Sequence, residues 1–145
     1  MPESAQRFLD LFKGSEGAHG QTDVLARQRN GKQEANYEIV REPLTVELVQ
    51  SHLDGTLGVG SIPIDETNRC WFGALDIDDY NLDHSALLAK VKRFKLPLVL
   101  CRSKSGGAHL FLFLSERVAA AEVRDRLAEF AAVLGWGNCE IFPKQ

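Results

Sequence analysis

The stretch Cys70-Trp71-Phe72-Gly73-Ala74-Leu75-Asp76-Ile77-Asp78-Asp79 joins an apolar strand to a cluster of carboxylates at its end. Side chains at i and i+2 point to the same face of a strand, so Asp76 and Asp78 are expected side by side. Two like charges held that close cost free energy unless a cation lies between them or one carboxyl takes up a proton. Hard oxygen donors in such a pair suit Mg²⁺ or Mn²⁺. The same cluster also suits the start of a loop, because Asp is common where strands give way to turns.

The segments that follow give the pair its setting. A helix is predicted over 83–95, with Leu87, Leu88, Val91 and Phe94 at three- and four-residue steps and Pro97 as its stop. Strand 98–103, a tight Ser105-Gly106-Gly107 turn and strand 108–114 come next. A helix over 119–134 then ends at Gly135, and a last strand covers about 139–142. The order β-α-β-β-α-β defines an α+β fold with an RRM- or ferredoxin-like core over about 70–143. Its four strands are expected in the spatial order fourth, first, third, second, with the first antiparallel to both neighbours. Asp76 and Asp78 then lie beside the starts of the third and fourth strands, which carry His109 and Glu140, and Arg102-Ser103-Lys104 reaches the same rim. Alternation agrees. Leu110, Leu112 and Leu114 share the helix-facing side with Leu75, Ile77, Cys139 and Ile141. His109, Phe111 and Phe113 share the open side with Asp76, Asp78, Glu140 and Phe142.

Upstream, 4–13 reads as an amphipathic helix broken by Gly14 and Gly17. Asn30-Gly31 is a turn signal that would join two short strands. A second helix over 45–54 has Thr45 as N-cap and Gly55 at its end, followed by strand 57–64 and a turn at 65–69. The chain thus reads as one domain. A small N-terminal α/β unit, 1–64, is expected to pack on the open face of the 65–145 core, covering its phenylalanines.

The totals restrict the partners. At 145 residues, 44% hydrophobic and 26% charged, the chain has an ordinary globular composition. No apolar run approaches the length of a membrane span and no leader is apparent, so a cytoplasmic location without membrane attachment is expected. A net charge of −3 argues against coating nucleic acid by bulk electrostatics. Lys90, Lys92, Arg93, Lys95, Arg102 and Lys104 nevertheless make a local basic patch, which suits either phosphate contact or a solvated helix face. Cys70, Cys101 and Cys139 fall far apart on predicted strands and form no Cys-x-x-Cys pair; buried reduced thiols are expected, with no zinc.

Two aspartates and a glutamate around a pair of divalent ions suit in-line displacement at phosphorus. Backbone N–H groups of Ser105-Gly106-Gly107 suit a phosphate cradle, and Arg102, Lys104 and His109 suit contacts to a triphosphate. Three segments, Leu75-Asp-Ile-Asp-Asp79, Arg102-Ser-Lys-Ser-Gly-Gly-Ala-His109 and Glu140-Ile-Phe-Pro-Lys-Gln145, resemble in order and spacing the signature motifs of the archaeo-eukaryotic primase superfamily. The likeness is to primase-polymerase domains of bacterial conflict systems, CRISPR-associated loci and phages. It extends to Leu11-Phe-Lys-Gly14, His52-Leu-Asp-Gly55 and Leu57-Gly-Val59.

The resemblance implies Asp76, Asp78 and Glu140 as catalytic metal ligands for Mg²⁺ or Mn²⁺. It implies nucleotide-phosphate contacts from Arg102, Ser103, Lys104, Ser105, Gly106, Gly107 and His109, and places Lys144 and Gln145 near template or nucleotide. The implied activity is templated transfer from an NTP or dNTP to a 3′-hydroxyl on single-stranded DNA, with a helicase, CRISPR or replication component as companion. Gly107 stands where many relatives have serine. Relatives continue through a further strand and helix, so the resemblance leaves two expectations open: a catalytic-core fragment, or a short natural form with weak or no polymerase activity of its own. Two other readings of the same residues stay open. One is a non-catalytic RRM-like module that stacks single-stranded nucleic acid or a nucleotide on Phe72, Phe111, Phe113 and Phe142. The other is a metal-dependent phosphodiesterase.

Overall fold

A computed structural model describes residues 2–27 and 33–144. The expected Asn30-Gly31 turn and Gln145 lie outside the described residues. The chain divides into two compact units, Met1–Thr67 and Asn68–Gln145. Mixed α+β structure with two antiparallel sheets agrees with the fold class read from the sequence.

In the first unit, α1 (Pro2–Leu11) and α2 (Val46–Leu53) accompany a sheet of β1 (His19–Arg27), β2 (Gln33–Val40) and β3 (Gly58–Gly60), ordered β2-β1-β3. Thr45 caps α2 by accepting from the Leu48 N–H at 3.3 Å. The strand expected over 57–64 is only three residues long. Beyond Gly60 the backbone turns to the α1–β1 connection: the Ser15 N–H donates to the Ile62 carbonyl at 2.8 Å, and the Ser61 hydroxyl to the Phe12 carbonyl at 2.6 Å. Those bonds replace a continued ladder. The same connection is clasped by Glu66, which accepts from the Ser15 hydroxyl and the Gly17 N–H; the Ser15 bond is the main cause of its lowered pKa.

Buried His19 is fully satisfied. Its Nδ1 faces the Glu42 carbonyl at 2.7 Å and must therefore carry the proton, leaving Nε2 to accept from the Gln21 amide at 2.9 Å.

In the second unit, β4 (Arg69–Ile77), α3 (His84–Arg93), β5 (Val99–Arg102), β6 (Ala108–Ala119), α4 (Ala120–Leu134) and β7 (Glu140–Phe142) give the sheet order β5-β6-β4-β7. This is the expected split order, and β4 is antiparallel to both β6 and β7. Val123, Leu127, Ala131 and Leu134 recur at helical spacing and form the buried stripe of α4. With Leu75, Ile77 and Leu110, all at most 1% exposed, they make the core. Each such large side chain contributes about 1.5–3 kcal/mol by leaving water.

Two boundaries differ from the pattern-based expectation. β6 runs to Ala119, because Arg69 and Cys70 pair with Ala119 and Val118 beyond a register shift between Cys70 and Phe72. Polar Ser115-Glu116-Arg117 concealed that extension. In α3 only Leu87 and Val91 are buried, while Leu88 and Phe94 face solvent. The thiols also divide: Cys70 is buried, Cys139 half-buried, and Cys101, on the outer strand β5, exposed. Among the described residues no helix is long and apolar enough to cross a membrane.

Candidate active site

The alternation that buries Leu75 and Ile77 turns Asp76 to the opposite face of β4. Asp76 pairs in register with His109 on β6 and with Glu140 on β7. Three chemistry-bearing residues, separated by up to 64 positions (140 − 76), thus form one row across three strands. His109 Nε2 stands 3.3 Å from Asp76 Oδ1. On the other flank, Lys144 donates to Glu140 Oε1 at 3.4 Å and lies over the Phe142 ring, 5.1 Å from its centroid.

Asp78 lies one residue beyond β4 and is exposed. It joins Asp76 and Glu140 in lining a cavity of about 490 Å³. Asp79 plays a different part: its Oδ1 accepts from the Asn81 N–H at 2.9 Å and turns the chain towards α3.

The Ser103–Gly107 turn reaches the same rim from β5 and β6. It is closed by the Ser103 N–H donating to the Gly107 carbonyl at 3.0 Å and the Gly106 N–H to the Ser103 carbonyl at 3.1 Å. Gly106 has φ +96°, and a Cβ on Gly107 would collide with the Ile77 carbonyl. Glycine therefore lets the turn lie directly against the end of the aspartate strand. Arg102 and Lys104 are exposed beside it, and the Ser103 and Ser105 hydroxyls are 3.5 Å apart.

Sequence reading missed two contributors. His84, the first residue of α3, donates from Nε2 to the Gly107 carbonyl at 2.8 Å and ties the helix to the turn. Its partner lies 23 residues away, so no local spacing announces the bond. The second is the Gly135–Cys139 segment, which forms the other cavity wall and includes Trp136 and Asn138. The Cys139 thiol there is pushed up in pKa, chiefly by burial and further by the Asp76 charge.

The family model for the archaeo-eukaryotic primase domain of TOTE conflict systems matches residues 3–132. The chain belongs to this family. No curated protein matches the chain. The matched residues of this primase domain include Asp76, Asp78, the glycine turn and His109, whereas Glu140 and Lys144 lie past the match. At the family level the activity is primase-like nucleotidyl transfer, with nucleotides and nucleic acid as the substrates that membership suggests.

Primase-like domains generally use divalent metals. Among the described residues no three His, Cys, Asp or Glu side chains stand close enough together to enclose an ion. The donors nevertheless fit the hard cations in chemistry, since Asp76, Asp78 and Glu140 are oxygen-bearing residues that line one cavity. Mg²⁺ is commonly held by one or two carboxylates, with water and substrate phosphate completing the shell. An open row of carboxylates suits an ion shared with a nucleotide better than a closed protein cage.

Proposed function

We propose that the domain is a DNA-directed primase-polymerase that transfers a nucleotide from an NTP or dNTP to a 3′-hydroxyl opposite a single-stranded template. The observation that carries this reading is the register row His109–Asp76–Glu140, with Asp78 completing the acidic wall of one cavity. In the reaction the 3′-oxygen forms a bond to the α-phosphorus and the bond to the bridging oxygen of the β-phosphate breaks. Pyrophosphate leaves with that electron pair, and the hydroxyl proton passes to solvent.

Asp76, Asp78 and Glu140 would hold Mg²⁺ or Mn²⁺, whose charge favours the deprotonated hydroxyl and offsets charge gathering at phosphorus. The remaining residues position substrate. Arg102 and Lys104 supply positive charge at the turn, and the Ser103 and Ser105 hydroxyls offer donors for phosphate; the Gly106 N–H is already engaged in closing the turn on the Ser103 carbonyl. His109 braces Asp76 and faces the triphosphate on the β6 side. Lys144 holds Glu140 and meets template or nucleotide. Hydrolysis is the less suited outcome for these carboxylates, because the turn and its flanking cations are built to retain a phosphate chain.

The test is primer extension and dinucleotide formation with Mg²⁺ or Mn²⁺, comparing wild type with the double variant Asp76→Ala/Asp78→Ala. Extension by wild type and none by the variant is expected. Extension that survives the double change would remove the assigned site, and single-strand binding without synthesis in either protein would favour the binding-module reading.

A further inference from the structure

Between His84 and Ser115 the chain has six lysines and arginines and no aspartate or glutamate, in a sequence whose net charge is −3. Lys90, the first of the six, is used inside the fold: its ammonium donates to the Leu134 carbonyl at 3.4 Å. Arg102 and Lys104 flank the glycine turn. Lys92, Arg93 and Lys95 remain, exposed at the C-terminal end of α3. Other exposed cations meet carboxylates: Arg7 reaches Glu3 at 2.8 Å, Arg126 reaches Glu129 at 3.7 Å and Lys144 reaches Glu140 at 3.4 Å. Among the described residues Lys92, Arg93 and Lys95 have no such partner.

Cations near a helix C-terminus are favoured by the helix dipole. The last turns of α1 and α4 nevertheless contain none, so the fold does not demand them. The end of α3 also overrides a backbone preference. α2 is followed by Gly55 at φ +79° and α4 by Gly135 at φ +83°, a left-handed conformation that glycine adopts without a Cβ clash. After α3 the same place is taken by Lys95, at φ +51°. A lysine kept where the backbone favours glycine points to a use for its charge. Between Arg93 and Lys95, Phe94 is 45% exposed, with the Arg93 guanidinium 5.4 Å from its ring centroid.

Three unpaired cations around an exposed ring fit a chain that carries both phosphates and flat faces. A duplex offers the phosphates but keeps its base faces stacked. A single strand offers both. We propose that Lys92-Arg93-Phe94-Lys95 is a docking surface for single-stranded nucleic acid, outside the centre assigned to transfer. His84, at the other end of α3, holds the glycine turn, and a helix of ten residues is roughly 15 Å long. The surface therefore engages nucleotides several positions away from the reacting one. It holds them by backbone charge and one stacked base, without reading sequence.

The experiment is fluorescence anisotropy with an end-labelled oligothymidylate, in EDTA and without nucleotide. It compares wild type with the triple variant Lys92→Gln/Arg93→Gln/Lys95→Gly, with Lys92→Gln alone and with Phe94→Ala, folding being checked by denaturation midpoint. The triple variant is expected to bind about tenfold or more weakly at low salt. Its slope of log K against log salt should shrink by about 2, three contacts at roughly 0.7 each, and that of Lys92→Gln by about 0.7. Phe94→Ala should weaken single-strand binding about fivefold or more and leave the affinity for a blunt duplex of equal length within about twofold. No binding by wild type, or unchanged affinity and slope in both charge variants, overturns the proposal and leaves the patch to an acidic partner protein. Unchanged single-strand affinity in Phe94→Ala, or an equal loss on the duplex, overturns the single-strand assignment. None of these readouts needs catalysis, so failure of the transfer reading and failure of this one are seen separately.

Discussion

Asp76 has two flanks, and they differ in chemistry although each is set by one strand pairing. Towards β6 stands His109, and behind it a glycine turn pinned to Ile77 and to His84, with Arg102 and Lys104 exposed at its edge. Towards β7 stand Glu140 and a cavity lined by Asp76, Asp78, Glu140 and the Gly135–Cys139 segment. A symmetric row of acids would bind cations without giving a reaction any direction. Here exposed cations stand on one flank and carboxylates on the other, so the two sides of Asp76 differ in charge.

Removing the residue between the flanks should have the largest effect. Asp76→Asn keeps size and hydrogen-bonding capacity but deletes the charge, and nucleotidyl transfer is expected to fall about a thousandfold. Single-turnover extension at saturating substrate measures it. Retained activity would make the comparison of flanks pointless.

The next effect concerns the fit of the turn. Gly107→Val drives a branched side chain into the Ile77 carbonyl, and unfolding in denaturant should show a loss of about 1–3 kcal/mol. An unchanged midpoint would mean that the turn does not depend on that close approach. Smaller still, Arg102→Ala/Lys104→Ala should raise the triphosphate KM about tenfold, since these charge-assisted contacts are solvent-exposed. A triphosphate KM that stays at the wild-type value would remove the phosphate role proposed for Arg102 and Lys104.

The smallest expected effect reads the field on the β7 side. Burial and the Asp76 charge push the Cys139 thiol up, so its thiolate forms at higher pH than usual. Alkylation followed by mass spectrometry should modify exposed Cys101 first and Cys139 several-fold more slowly at mildly alkaline pH. Asp76→Asn should move the Cys139 profile only part of the way down, because burial is the larger cause.

The row across the sheet was legible in the sequence because alternation has period two. Once Leu75 and Ile77 are assigned inward, Asp76 must face the other way, and the leucines of β6 impose the same choice on His109. Split topology then brings the strands together. What pattern could not supply was anything dependent on a bond to distant backbone. Nothing around His84 hints that its ring will reach Gly107, and nothing around Trp136 marks it as a cavity wall, because loops have no periodicity to read. The short β3 and the long β6 follow the same rule: the partner, rather than local propensity, decided where each strand ended.

Glu140 gives the most direct test, because it lies beyond the family match and joins the site through its strand pairing with Asp76. Glu140→Gln preserves shape and the β7 ladder while removing one negative charge. In templated extension with Mg²⁺, alongside wild type and with folding verified by circular dichroism, the expected result is a fall of about a hundredfold or more in turnover. A folded Glu140→Gln protein that extends primers at the wild-type rate would contradict the three-carboxylate centre.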